Sequence, residues 1–349
     1  MKVLTTHSID PALWDDFVRH HPLATIYHHR LWQDVILKTY GYQPLYHILV
    51  EDSRIFKAAV SSAFVKSRLT GNRIVSYPFS DTCDPLVRNS AELGLLLDAM
   101  EESRAKLGTQ FVEFRFAKAH RFMNNQRWCL EYSTHLLDLD REAGALFRTF
   151  HKSCIQRAIK KARRQGLDIV TGKTEEDIKA FYWLNLMTHK RHGVPAQPYQ
   201  FFRNLWNTLS PKDMLTLLLG RYHDKVVAGI IVLWFKDVAY YKFSASDEKF
   251  LRSRVNQLLM WKAIRMAQQR GCRTFDLGRA NFTNQGLARY KSRWGTRNMS
   301  LHYLNVPNVR KSGALMESSS RHAILKKIIA RMPVSVNRMS GQLLYKHFA

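Results

Sequence analysis

Three segments between residues 188 and 295 concentrate side chains that hold charge or move protons. Thr188-His189-Lys190-Arg191-His192-Gly193-Val194-Pro195 follows a helical pattern over Glu175–Met187 and gathers donors where the chain turns. The same basic cluster also complements the negative end of a helix dipole. Phe275-Asp276-Leu277-Gly278-Arg279, with Gly286 downstream, reads as a strand delivering a carboxylate and a guanidinium into a loop. Arg279 can there clamp a phosphate or carboxylate through two parallel N–H bonds. Alternatively Asp276 simply pairs with one of the eleven basic residues in 251–300, where it is the single acid. Leu287-Ala288-Arg289-Tyr290-Lys291-Ser292-Arg293-Trp294-Gly295 interleaves aromatic and cationic side chains, as in sites that grip nucleotides or phosphates. Lys291 can present a point charge to a developing oxyanion; the plainer reading of this stretch is a surface strand with a stacked aromatic edge.

Such groups need a scaffold, and periodicity supplies one. Pro11–Arg19 and Leu31–Tyr40 read as helices, and Leu45–Val50 with Ile55–Val65 as a hairpin. A helix over Ala91–Lys106, stopped by Gly108, leads to a strand Phe111–Phe116. The order then recurs: Met214–Gly220, Val226–Phe235 and Val238–Phe243 as strands, Asn256–Arg270 as a helix stopped by Gly271, and Thr274–Leu277 as a strand. Ala58-Ala59-Val60 and Ala228-Gly229-Ile230 are offset by 170 residues, Gly108 and Gly271 by 163. Two landmarks agreeing this closely predict a duplicated α/β (α+β) chain, with domains at 1–150 and 151–309. Between the copies, Ser153–Gln165 reads as a basic amphipathic helix carrying Arg157, Lys160, Lys161, Arg163 and Arg164, ended by Gly166. Residues 310–349 form a basic tail, in which Ala323–Arg331 sets Ile324, Leu325, Ile328 and Ile329 opposite Lys326, Lys327 and Arg331.

The chain has 349 residues and a formal net charge of +26, unevenly spread. Residues 1–150 carry a net +1 and residues 151–349 a net +25. A merely solubilising charge is excluded; one half is built to meet an anion. The longest apolar run, Val226–Phe235, is far short of the roughly 18 to 20 residues needed to cross a bilayer. The N-terminus reaches Asp10 and Asp15 with no apolar core, so no secretory signal is expected. Cys83, Cys129, Cys154 and Cys272 form no Cys-x-x-Cys pair, and no His-Glu-x-x-His occurs. No metal is expected, and a reducing cytoplasm fits. The basic tail can dock on its own protein or lie on an anionic membrane face, which would put the chain at the inner side of that membrane. No helix-turn-helix or zinc-finger pattern is visible, so DNA is not an expected partner.

Asp276-Leu277-Gly278-Arg279, Gly286, Tyr290-Lys291-x-x-Trp294-Gly295 and Leu301-x-Tyr303, in that order, resemble the C-terminal signature of Fem-type aminoacyltransferases and related GNAT-like acyltransferases of cell-envelope and exopolysaccharide systems. His151-Lys152 with Arg157-x-x-Lys160-Lys161-Ala162-x-x-Gln165-Gly166 is similar to the family's basic helix. Thr188-x-x-Arg191-x-Gly193-x-Pro195-x-x-Pro198 and Asn256-x-Leu258-Leu259-x-Trp261 match its other landmarks. The resemblance covers about residues 150 to 305 and implies two tandem GNAT-like domains. It implies transfer of an acyl or aminoacyl group from acyl-CoA or aminoacyl-tRNA to an amine on a sugar or peptide precursor, with no tightly bound cofactor. Lys291 would then stabilise the tetrahedral intermediate, with Tyr290 where the family has Phe. Asp276 and His189 are the candidate bases. Arg157, Lys160, Lys161, Arg191, Arg252, Arg254, Asn256, Trp261, Arg279, Tyr290 and Trp294 are the expected binding residues. One departure concerns the donor: Phe250–Asn256 carries no glycine, where GNAT enzymes that use acetyl-CoA usually have a glycine-rich turn whose N–H groups hold a pyrophosphate. A catalytically silent RNA- or membrane-binding protein is the alternative that the basic half supports.

Overall fold

The computed structural model of the chain describes residues 2–52, 55–123, 130–282, 284–307 and 328–347. They fall into two compact units, one of residues 2–132, 300–307 and 344–347, the other of 133–299 and 328–343. Among these residues no helix is long and apolar enough to cross a membrane.

The first unit runs β1 (Lys2–Thr6), α1 (Pro11–His20), α2 (Arg30–Tyr40), β2 (Gln43–Asp52), β3 (Ile55–Val65), β4 (Arg73–Val75), α3 (Ser90–Lys106) and β5 (Phe111–Phe116). Its sheet has the order β1-β2-β3-β4-β5-β12, where β12 is Arg297–Val306. Only β4 and β5 are parallel among these neighbours.

The second unit begins with β6 (Leu130–Asp138), α4 (Ala143–Thr149) and α5 (Arg157–Arg163). It then repeats the first: β7 (Leu167–Thr171), α6 (Glu175–His192), α7 (Tyr199–Leu209), β8 (Leu215–Tyr222), β9 (Lys225–Phe235), β10 (Val238–Ser246), α8 (Val255–Gln269) and β11 (Thr274–Asn281). After it come α9 (Gln285–Ser292) and, beyond β12, α10 (Val334–Leu344). The sheet order is β7-β8-β9-β10-β11-β6, with β10 and β11 parallel. The two units thus share one plan, β-α-α-β-β-β-α-β. Gly108 and Gly271 both take the left-handed conformation, at φ +59° and +72°, just past α3 and α8.

Three expectations need correction. The division between units falls at residue 132, not 150, and residues 300–307 return to the first unit. The reason is strand exchange: β6, which follows the first unit's β5 in sequence, lies beside β11, and β12 pairs antiparallel with β5. The stretch from Leu287 is a helix, not a surface strand, because Asn284 caps it by accepting the Leu287 N–H at 3.1 Å. The basic helix starts with a wide turn at Lys152–Gln156, so α5 proper is seven residues long before Gly166 at φ +64°. Most of Ala323–Arg331 lies outside the described residues.

Local chemistry explains the longest helix of the second unit. Thr174 and Asp177 form a reciprocal capping box, and Glu175, Glu176 and Asp177 occupy the first turn of α6. His189, Lys190, Arg191 and His192 fill its last turn, before Gly193 at φ +66°. Each end therefore carries the charge that its dipole favours. Two glycines set how closely helices approach the sheet. A Cβ on Gly229 would lie 2.8 Å from Phe181 of α6, and one on Gly220 2.5 Å from Val255 of α8. Gly220 is paired with Ala228, next to Gly229, so α6 and α8 cover opposite faces. The α8 face holds the core of Ile155, Ile159, Ile230, Val232, Leu259 and Trp294.

Gly229→Val should therefore lower the unfolding free energy by about 1–3 kcal/mol. Gly94→Ala, inside α3 with nothing within 4 Å of the added methyl, should raise it by up to about 1 kcal/mol. Denaturant titration of the two variants checks the opposite signs.

Candidate active site

β10 and β11 pair in parallel over three residues only: Val238 with Thr274, Ala239 with Phe275, and Tyr240 with Asp276. Both continue further, to Ser246 and Asn281, without a shared ladder. A bulge at Lys242 accompanies the parting, since Tyr241 opposes Val232 and Phe243 opposes Ile231. One extra residue reverses the alternation of side chains. Ala239 and Tyr241 before the bulge, and Ser244 and Ser246 after it, consequently share the α8 face, while Phe243 packs edge-on against Phe201 and Phe202 of α7.

Freed backbone groups need partners. At the end of β10, the Ser246 N–H donates to Thr188 Oγ1 at 3.1 Å, and Asn256 Nδ2 donates to Ser246 Oγ at 3.2 Å. Asn256 Oδ1 is buried and has no hydrogen-bond partner among the described residues. At the end of β11, Gly278 takes φ +76°, and the buried Lys291 of α9 donates from Nζ to Gly278 O at 2.7 Å and Arg279 O at 2.9 Å. Charge-assisted bonds of this kind contribute about 1.5–3 kcal/mol each. Ser246 and Asn256 thus meet at the end of β10, while Lys291 is held on β11 at Gly278 and Arg279.

Tyr241 and Tyr290 interact electrostatically on this face, and burial pushes both phenols up, so they remain neutral. Behind Lys291, Thr296 Oγ1 donates to Lys291 O at 3.2 Å and lies 3.3 Å from His135 Nδ1. Because that hydroxyl hydrogen is committed, His135 Nδ1 is the donor to it and Nε2 keeps its lone pair. Burial, then the Lys291 charge, push His135 down to about 4.

The other expected residues divide into three groups. Arg157, Lys160 and Lys161 are exposed on α5, where with Arg164 and Gln165 they line a surface depression of about 400 Å³; α5 packs on α8. Arg252 and Arg254 are exposed just before α8. Arg254 holds φ +64°, so this turn adopts the left-handed geometry with no glycine, at a strain of about 1–3 kcal/mol. Arg191 is half-buried in the last turn of α6, on the opposite face of the sheet from α5 and α8, and Arg279 is exposed on β11. The expected binding cations are therefore not gathered on one face, since Arg191 lies across the sheet from those of α5.

Three assignments change. Trp294 is fully buried, with its ring 5.2 Å from Phe150, and Trp261 packs against Phe147 and Phe150 at 5.2 and 5.5 Å. Trp294 is a core residue, whereas Trp261 also lines a depression of about 390 Å³ with Arg163, Lys262 and Arg265. Asp276 is buried and its Oδ1 accepts from Thr134 Oγ1 at 2.7 Å and the Gly278 N–H at 2.8 Å, which makes it a brace for the turn at Gly278. His189 donates from Nδ1 to Asn185 O at 2.9 Å, and burial lowers its pKa, so it is neutral with Nε2 as an acceptor. Ser246, Tyr241 and His135 were missed because no sequence spacing links them; Thr188 was in the quoted motif without a role.

Residues 150–292 match the family model described as an acetyltransferase (GNAT) domain. The fold is similar to that of FemX, with a TM-score of 0.68 at 15% identity over 88% of this chain and 98% of that one. L-PGS from Bacillus licheniformis gives 0.56 at 12% identity over 93% and 97%. A tandem GNAT protein from the clavulanic acid biosynthesis pathway gives 0.54 at 12% identity over 88% and 100%. No curated protein matches the chain.

His47 and His135 sit near 4 in the folded chain, against 6.5 for an ordinary histidine. Neutral histidines favour the folded state above about pH 6.5, and that contribution is lost as pH falls through about 4. The unfolding midpoint should drop across this window, and the His135 ring protons should titrate near its lower end by NMR.

Proposed function

With residues 150–292 forming a GNAT-type acetyltransferase domain, and the chain sharing the fold of FemX, we propose that this acyltransferase moves an acyl or aminoacyl group from a phosphorylated donor to an amine of a cell-envelope or exopolysaccharide precursor. The observation that carries this reading is the parting of β10 and β11 together with the buried Lys291 ammonium fixed on the Gly278 and Arg279 carbonyls of β11. The amine nitrogen attacks the donor carbonyl, the C–S bond of a CoA thioester or C–O bond of a tRNA ester breaks, and the amine's proton leaves with the departing sulfur or oxygen. The positive charge of Lys291, fixed before the reaction begins, stabilises the oxyanion without reorganisation. Asn256 Oδ1 offers a buried acceptor to an N–H of the donor, and the parted strands orient the two reactants.

Arg252, Arg254 and the exposed cations of α5 lie on the α8 side and bind the donor's phosphates. An acid-free run from Ser153 to Gln165 presents more positive charge than a pyrophosphate needs, which favours charged tRNA over acyl-CoA. Arg191 and His189, on the other face, serve the acceptor. The catalytically silent alternative leaves the acetyltransferase match and the buried lysine without a purpose.

Purified protein supplied separately with labelled acyl-CoA species and with charged tRNA, each with candidate amino sugars, should consume one donor class in an amine-dependent manner; consumption of neither overturns the proposal. Lys291→Met should lower kcat by about a hundredfold or more, and Lys291→Arg, which keeps charge, should retain more activity. Equal activity in both variants, with thermal unfolding recorded alongside, removes the charge from the mechanism.

A further inference from the structure

Helix α10 turns its polar and small side inward. Asn337 is fully buried, its Oδ1 accepting the Ala196 N–H at 3.3 Å and its Nδ2 donating to Val194 O at 3.5 Å. One turn later Gly341 is buried, so close that an added Cβ would fall 2.0 Å from Ala196 O. With positions 337 and 341 against the protein, the outer face carries Val336, Met339 and Leu343, which are 41%, 58% and 63% exposed. Arg338 projects near the Tyr182 phenol of α6, and α6 adds Trp183 and Met187, 56% and 40% exposed. This is the reverse of an ordinary surface helix, which buries its apolar stripe.

The surroundings of the stripe are cationic. Residues 318–343 contain no acidic side chain but include Arg321, Lys326, Lys327, Arg331 and Arg338; of these, Arg331 and Arg338 are exposed beside the stripe in sequence. Large apolar side chains facing outward among cations, with no acid nearby in sequence, match the headgroup and acyl boundary of a negatively charged bilayer. A polyanion such as RNA satisfies the charge but offers nothing to Met339 and Leu343.

We infer that α10 is a membrane-docking surface that seats Val336, Met339 and Leu343 in an anionic lipid leaflet, with Arg331 and Arg338 at the headgroups. This holds whichever donor the enzyme uses. The full chain is sedimented with vesicles of phosphatidylcholine alone and of phosphatidylcholine mixed with phosphatidylglycerol. The expected result is binding to the anionic vesicles, weakened about tenfold by Met339→Ser with Leu343→Ser, and weakened separately by Arg338→Glu and by salt. Both apolar positions are exposed, so the thermal midpoint should not move. Absence of binding overturns the inference, as does binding that ignores the double serine variant. A concentration-dependent dimer dissolved by the same substitutions also overturns it, in favour of a second copy of the chain.

Discussion

A backbone group released from a sheet must be bonded elsewhere, and the second unit is organised around that requirement. Once β10 and β11 part beyond Tyr240 and Asp276, carbonyls and amides at both rims lose their ladder. Lys291 takes two of the carbonyls, Thr188 takes the Ser246 amide, and Asp276 takes the Gly278 amide. Each of these side chains is held by a different element: α9, α6 and β11 itself. Opening the sheet thus recruits the surrounding helices into its repair.

The same repair sets the local electrostatics. A lysine that satisfies carbonyls is also a buried positive charge at a fixed place, and its field is felt by His135, which it helps to keep neutral. The bulge at Lys242 serves geometry in a comparable way, because it lets Tyr241, Ser244 and Ser246 share one face of a single strand. Arg254 in the left-handed region shows the same logic in the backbone. The turn into α8 keeps the shape that glycine would allow easily, and spends strain to place a guanidinium there.

Much of the fold could be read from the sequence, since helices such as α1 and α8 and the hairpins β2–β3 and β8–β9 declare themselves through periodicity, caps and terminal glycines. The repeat was legible because one landmark lies inside the corresponding strands β3 and β9 and the other just past the corresponding helices α3 and α8. Strand exchange was not, because pairing of β5 with β12 joins positions such as Phe116 and His302 that no local pattern connects. For the site, an ordered motif singled out Lys291, which the structure buries against two carbonyls of β11. Trp294 was misread because an indole in a motif looks the same whether it faces a ligand or the core. Ser246, Tyr241 and His135 were invisible, since their relevance depends on where two strands separate and on a bulge that alters the direction of side chains.

The exchanged strands carry a consequence for how the chain comes into being. The sheet of the first unit lacks its last member until residues 300–306 have been made, so an emerging N-terminal half leaves β5 with an uncovered edge during most of synthesis. Cutting the gene at the midpoint would separate each half from a strand that it needs, and neither fragment would be a self-sufficient module. Each stretch of chain thus supplies the strand that completes the sheet order of the other unit.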